Sequence, residues 1–278
     1  EQLAPYIKTM MPVSDADHTP SAALLATTVE QIQKIVGICN TYKVPIWMIS
    51  TGRNFGYGSA APSERGQVVL DLKRMNRILE VDQDLCFALV EPGITYKQLY
   101  DYIQDHKYPL WLSCPAPSAI AGPTGNTLDR GVGYTPYGEH FLFACGMEVV
   151  LANGEVLRTG MGSLPKSNTW QVFKWGYGPY LDGIFTQSNY GIVTKFGFWL
   201  MPAPPAFKPF VIQYENEDDI VEIVETIRPL RISGVIPNAI VIAHALYEAP
   251  TKAKRSDYVT GPGAITDEAV RQIMKDHK

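Results

Sequence analysis

Apolar residues first recur at helical spacing at Ile32, Ile35, Val36 and Cys39, which marks one buried helix face. Just ahead, Thr27-Thr28-Val29-Glu30 has the form of a capping box, with Thr27 as the cap and Glu30 reaching back. Residues 45–49 then read as a short apolar strand that runs into a glycine-rich loop. Further strands are predicted at 68–72 and 86–90, the second closed by the turn signal Glu91-Pro92-Gly93. Thr95-Tyr96-Lys97-Gln98 is a second capping box, opening a helix whose apolar face carries Leu99, Tyr102 and Ile103. Residues 113–140 keep no period and read as a long irregular segment rich in Gly, Pro and small side chains. Segments 147–152 and 155–159 flank Asn153-Gly154, a strong hairpin signal, and 192–200 reads as another strand.

Met201-Pro202-Ala203-Pro204-Pro205 is the best linker candidate, and it sets a first domain at 1–202 and a second from 203 to 278. The second opens with a predicted strand at 210–214, a helix marked by Ile220, Ile223, Val224 and Ile227, and a strand at 239–246. Residues 251–278 are polar and do not complete this β-α-β beginning, so the chain is expected to continue beyond Lys278. No internal repeat or low-complexity tract is visible.

Composition narrows the function classes. The chain has 278 residues, 46% of them hydrophobic and 19% charged, which suits two domains or one large one with a substantial core. A net charge of −4 gives no electrostatic footprint for nucleic acid. No run of about 18 apolar residues exists to span a membrane, and no secretory signal is visible at the start. Cys39, Cys86, Cys114 and Cys145 form no CxxC or CxxCH, which argues against zinc, a thioredoxin-like site and c-type haem attachment, and favours buried free thiols. The histidines His18, His106, His140, His244 and His277 form no HxxxH pair, and no GxSxG occurs.

Four loops could carry chemistry. Ser50-Thr51-Gly52-Arg53-Asn54-Phe55-Gly56-Tyr57-Gly58 has three glycines that expose backbone N–H groups, so it suits an anion nest, or else a structural turn. It is neither a Walker motif nor a Rossmann fingerprint, since no Gly-Lys-Ser/Thr follows and the glycine spacing differs. The others are residues 115–126, 130–140 and 188–194, all rich in glycine or small side chains that let a flat ligand approach the backbone.

The order of these loops, together with "GMEVVLANGEVLRTG" at 146–160 and "GIVTKFGFWLMP" at 191–202, resembles the vanillyl-alcohol oxidase family of flavoproteins. "STGRNFGYGSAAP" (50–62), "APSAIAGPTGN" (116–126) and "RGVGYTPYGEH" (130–140) are similar to its methylhydroxylase branch. The resemblance runs from about Met10 to near the end. It implies an α+β fold, with two FAD-binding subdomains followed by a substrate, or cap, domain.

The resemblance also implies FAD as cofactor and a 4-alkylphenol as substrate, oxidised at its benzylic carbon by hydride transfer to flavin N5 through a quinone methide. By position in the motifs, the diphosphate lies on Ser50, Thr51, Gly52, Arg53, Asn54, Phe55 and Gly56. Adenine and flavin lie along Asn126, Gly131, Gly133, Tyr134, Gly191, Ile192 and Val193. Tyr57 matches the tyrosine that hydrogen-bonds the phenolic oxygen, although on the residues alone it reads as a turn aromatic. The branch further implies a c-type cytochrome subunit as electron acceptor, a homodimer of flavoprotein subunits and a periplasmic location.

The family's oxidases carry an aspartate in the stretch matching 115–118, whereas this chain has Pro115-Ala116-Pro117-Ser118 and no acid, which favours the methylhydroxylase branch. An oxygen-using vanillyl-alcohol or eugenol oxidase, and a noncatalytic FAD-binding fragment, are the alternatives. The family's remaining phenol-binding groups and its flavin attachment residue belong to a C-terminal half outside this sequence.

Overall fold

The structure is a computed structural model that describes residues 2–9, 11–54, 58–115, 118–176 and 178–276. In chain order its elements are β1 (Ala22–Leu25), α1 (Val29–Tyr42), β2 (Ile46–Ile49), β3 (Val68–Asp71), β4 (Ile78–Asp82), β5 (Phe87–Val90) and α2 (Tyr96–Asp105). Then come β6 (Leu110–Trp111), α3 (Pro123–Leu128), β7 (Ala144–Leu151), β8 (Val156–Arg158), β9 (Gly191–Trp199), β10 (Met201–Pro202), α4 (Ile220–Ile232), α5 (Ala245–Glu248) and α6 (Asp267–Asp276). Helices and strands are mixed in an α+β fold. Tertiary contacts divide the chain into two units, Glu1–Ala239 and Ile240–Lys278.

The first unit holds three sheets. β1, β3 and β2 form a parallel sheet in the order β1-β3-β2, with Ala22 opposite Val68 and Ile46 opposite Val68 on the other side. An antiparallel sheet runs β4-β5-β9-β7-β8, and β6 pairs with β10 in a two-stranded ladder. α1 buries Ile32 and Val36 against Leu70 and Leu72 of the parallel sheet region, and Val150 and Ile192 of the five-stranded sheet join the same cluster. α2 buries Leu99 and Ile103 in a second cluster with Val90, Met147, Val149, Val193 and Phe196. β7 and β9 are thus covered on both faces, which is why they read as near-continuous apolar runs.

The helix and hairpin signals translate directly. Thr95 caps α2 with the full reciprocal box to Gln98. Asn153-Gly154 turns β7 into β8, with Gly154 at φ +84. At α1 the expectation is corrected by one residue: Thr28 is the cap, accepting from Gln31 N at 3.3 Å, while the Gln31 side chain reaches back to Thr27 N at 2.8 Å. Two threonines in sequence suit the role equally, and the helix takes the one that puts Gln31 at the third helical position.

Other expectations fail. Residues 113–140 are not wholly irregular, since α3 lies within them. The predicted strands at 210–214 and 239–246 do not form: 210–214 carry no regular structure and 245–248 are helical. A strand pattern becomes a strand only beside a partner, and no described segment pairs with these. The second unit consists of α5, α6 and short turns, and it buries Ala249, Ala269 and Ile273.

Candidate functional site

The loop at 50–54 leaves the carboxyl end of β2, which Ile49 anchors in a cluster with Tyr6, Ala60 and Val69. Gly52 has φ +66, and a Cβ there would lie 2.8 Å from the Ala60 Cβ, so both backbone shape and space call for glycine. α3 packs directly on this loop. A Cβ on Gly122 would meet Thr51 Cγ2 at 3.0 Å, and one on Gly125 would overlap Ser50 Oγ.

Residues 128–130, at the start of the third loop, bond to the first loop and to residues 186–187 just ahead of the fourth. Asn54 Nδ2 donates to Asp129 Oδ2 at 2.9 Å. Gln187 N donates to Leu128 O at 2.9 Å and Gln187 Nε2 to Asp129 O at 3.1 Å. Arg130 Nε donates to Thr186 Oγ1 at 3.0 Å. Burial pushes the Asp129 carboxyl above the usual range. Gly131 N returns to Asn126 O at 2.8 Å, so Asn126 and Gly131 sit side by side.

Next to them the 132–139 segment folds back on itself through Gly133 N to Gly138 O, 2.8 Å, and delivers His140 behind Gly133. His140 is 6% exposed. Its Nδ1 bonds Asn126 Oδ1 and its Nε2 bonds Ser113 Oγ at 3.0 Å. Burial lowers its pKa to about 4, so the ring is neutral at pH 7.

Ser50, Thr51, Gly52, Asn54, Asn126 and Gly131 are therefore assembled around one region, and Arg53 lies exposed beside them. Gly133 lies at the Ser113–His140 bond, and Tyr134 is exposed, its carbonyl accepting from Asn238 Nδ2 at 3.0 Å. Gly191 begins β9 opposite Leu151. The Ile192 and Val193 side chains point into the two cores, so only their backbone could meet a ligand. Phe55, Gly56 and Tyr57 lie outside the described residues.

Two hydroxyls within the predicted loops were given no role of their own by the sequence. Thr124 Oγ1 and Ser188 Oγ, each within a candidate loop, are buried and have no hydrogen-bond partner among the described residues. Such a hydroxyl costs about 1–3 kcal/mol unless something satisfies it. Unsatisfied hydroxyls in loops rich in glycine and small side chains fit a cofactor dense in phosphate and hydroxyl oxygens.

A family model described as FAD binding domain matches residues 20–160. The chain belongs to this FAD-binding domain family. The match takes in the 50–54 loop, α3 and His140. The chain is 65% identical over 277 residues to the 4-cresol dehydrogenase [hydroxylating] flavoprotein subunit of Pseudomonas putida, covering 99% of this chain and 53% of that protein. A crystal structure of p-cresol methylhydroxylase with substrate bound superposes with TM-score 0.95 at 65% identity, over 99% of this chain and 54% of that one. The 4-ethylphenol oxidase from Gulosibacter chungangensis, in complex with isoeugenol, gives TM-score 0.90 at 40% identity, over 99% and 53%. This FAD-binding domain chain spans about half the length of these relatives, and its cofactor is FAD. Among the described residues no helix is long and apolar enough to cross a membrane, and no cluster of His, Cys, Asp and Glu is arranged for a metal ion.

Proposed function

We propose that the chain is the FAD-binding half of a flavoenzyme that hydroxylates the benzylic carbon of 4-alkylphenols and passes the electrons to a c-type cytochrome. The observation that carries this reading is the 65% identity, across 99% of the chain, with a 4-cresol dehydrogenase flavoprotein subunit. On this reading residues 1–202 form the FAD domain and 203–278 open the substrate cap. The flavoprotein pairs as a homodimer, and the cytochrome partner makes the periplasm its location.

Ser50, Thr51, Gly52, Arg53, Asn54, Phe55 and Gly56 hold the diphosphate through backbone and hydroxyl groups. Asn126, Gly131, Gly133, Tyr134 and the backbone of Gly191, Ile192 and Val193 line the rest of the cofactor. The unsatisfied hydroxyls of Thr124 and Ser188 support this assignment. FAD, when bound, supplies the hydride acceptor beside the benzylic carbon.

Tyr57 donates a hydrogen bond to the phenolic oxygen. A donor there stabilises the phenolate over the phenol and lowers the substrate pKa. The phenolate pushes charge through the ring, so the benzylic carbon can lose a hydride and leave a quinone methide. Water then adds at that carbon and returns the phenol, now a benzylic alcohol. The balance is two electrons and two protons removed and one oxygen gained from water.

The similarity to a 4-ethylphenol oxidase favours dioxygen as a second candidate acceptor. Against it, residues 115–118 carry no acid. The test is to reduce the complete FAD-loaded protein with 4-methylphenol under anaerobic conditions. Bleaching, with rapid recovery on adding a c-type cytochrome and slow recovery in air, is the expected result. Equally fast recovery in air selects the oxidase. A flavin that bleaches with no 4-alkylphenol overturns the activity.

A further inference from the structure

His140 sits at the join of two segments that the reading above places around the flavin, yet nothing in that reading uses it. Its two ring nitrogens are both engaged. Asn126 Oδ1 can only accept, so Nδ1 carries the proton, and Nε2 accepts from the Ser113 hydroxyl at 3.0 Å. In this arrangement the Asn126 carboxamide turns Oδ1 to the imidazole and Nδ2 to Gly131, where a Cβ would overlap it.

The surroundings are shaped for this chain of bonds. A Cβ on Gly133 would lie 2.5 Å from Ser113 Oγ and 2.6 Å from His140 Nε2, so only glycine lets the 132–139 loop close over the pair. Behind the ring is a cavity of about 20 Å³, walled by Tyr96, Phe143, Phe198 and Leu200. An unpaired polar group would be costly in such a place. Among the described residues the ring makes no ion pair, and its neighbours Ser113, Asn126 and Thr127 are neutral.

We propose that His140 is a positioning residue of the flavin site, holding the Asn126 carboxamide so that its Nδ2 is presented to the cofactor and tying that amide to the segment beginning at Ser113. The inference rests on the FAD-site reading above and adds a group that acts through another. A histidine kept only for packing would leave the amide free to choose its own orientation.

The test compares FAD affinity of this chain, by quenching of flavin fluorescence, with that of H140L, H140N, N126L and the double variant H140L/N126L. H140L should bind FAD at least ten-fold more weakly while keeping its circular dichroism. H140N, which keeps a donor near the Nδ1 position, should recover most of the affinity. The double variant should bind no more weakly than N126L, because the two residues act in series. Wild-type affinity in H140L, or losses that multiply in the double variant, overturns the proposal.

Should H140L not fold, the unliganded protein carries the test. Nitrogen-15 NMR of His140 at pH 7 should report the neutral Nδ1–H tautomer, and N126L should lose that preference. An Nε2–H tautomer or a charged ring overturns the proposal. If the unsubstituted chain binds no FAD at all while its His140 shows the Nδ1–H form, the FAD-site reading itself fails and this inference goes with it.

Discussion

His140 gives the molecule a titration of its own. Its folded pKa of about 4 lies below the ordinary 6.5, because burial opposes the charged ring. The unfolded chain therefore takes up the proton first as pH falls. The contribution is fully present above pH 6.5, declines between 6.5 and 4 and is flat below, a loss of roughly 3 kcal/mol. Urea unfolding at pH 7, 5 and 4 should show a steeper decline for the wild type than for H140N; parallel declines would contradict the assignment. The residues around it were unevenly legible in the sequence. Gly52, Asn126 and Gly131 stood in glycine-rich motifs and drew notice. His140 closed one of those motifs but gave no sign of its partners, which lie 14 and 27 residues away along the chain. Thr124 and Ser188 stood inside picked-out loops, but their hydroxyls gave no signal, because an unsatisfied hydroxyl is visible only once its burial is known.

Elements were most readable where a local rule decides them. Both capping boxes announced helices that formed, and the Asn-Gly turn announced its hairpin. The one-residue error at α1 is testable. Thr28→Ala should cost about 1 kcal/mol of stability, as loss of a cap does. Thr27→Ala should cost less, since the backbone N–H of Thr27 still reaches Gln31. Denaturant midpoints of the two variants decide between the caps, and a larger loss at Thr27 would restore the original assignment. Strands were harder. β1 is Ala22-Ala23-Leu24-Leu25, four good helix formers made extended by pairing with β3. The reverse error fell at 210–214, where β-type residues meet no partner.

On the scale of the whole chain, order is concentrated where layers overlap. β7 and β9 are hydrogen-bonded on both sides, and none of their residues is exposed. Phe210 and Val211, by contrast, are 80% and 85% exposed. Amide hydrogen exchange of this chain should leave the β7 and β9 amides protected for hours and exhaust those of 210–214 within the first minutes. Slow exchange at 210–214 would mean that the segment is paired in solution. The division into α+β layers was open to sequence reasoning through the family motifs. How the layers are joined was not, because joining depends on contacts between Ile32, Val150 and Ile192, which are far apart in sequence.

Consecutive side chains of β9, Ile192 and Val193, belong to different cores. The strand is a party wall: neither layer can slide, tilt or loosen without dragging the backbone that the other also leans on. Trimming a methyl group on one side is consequently felt on both, and the spacing between the two layers is held by a shared strand rather than by a hinge.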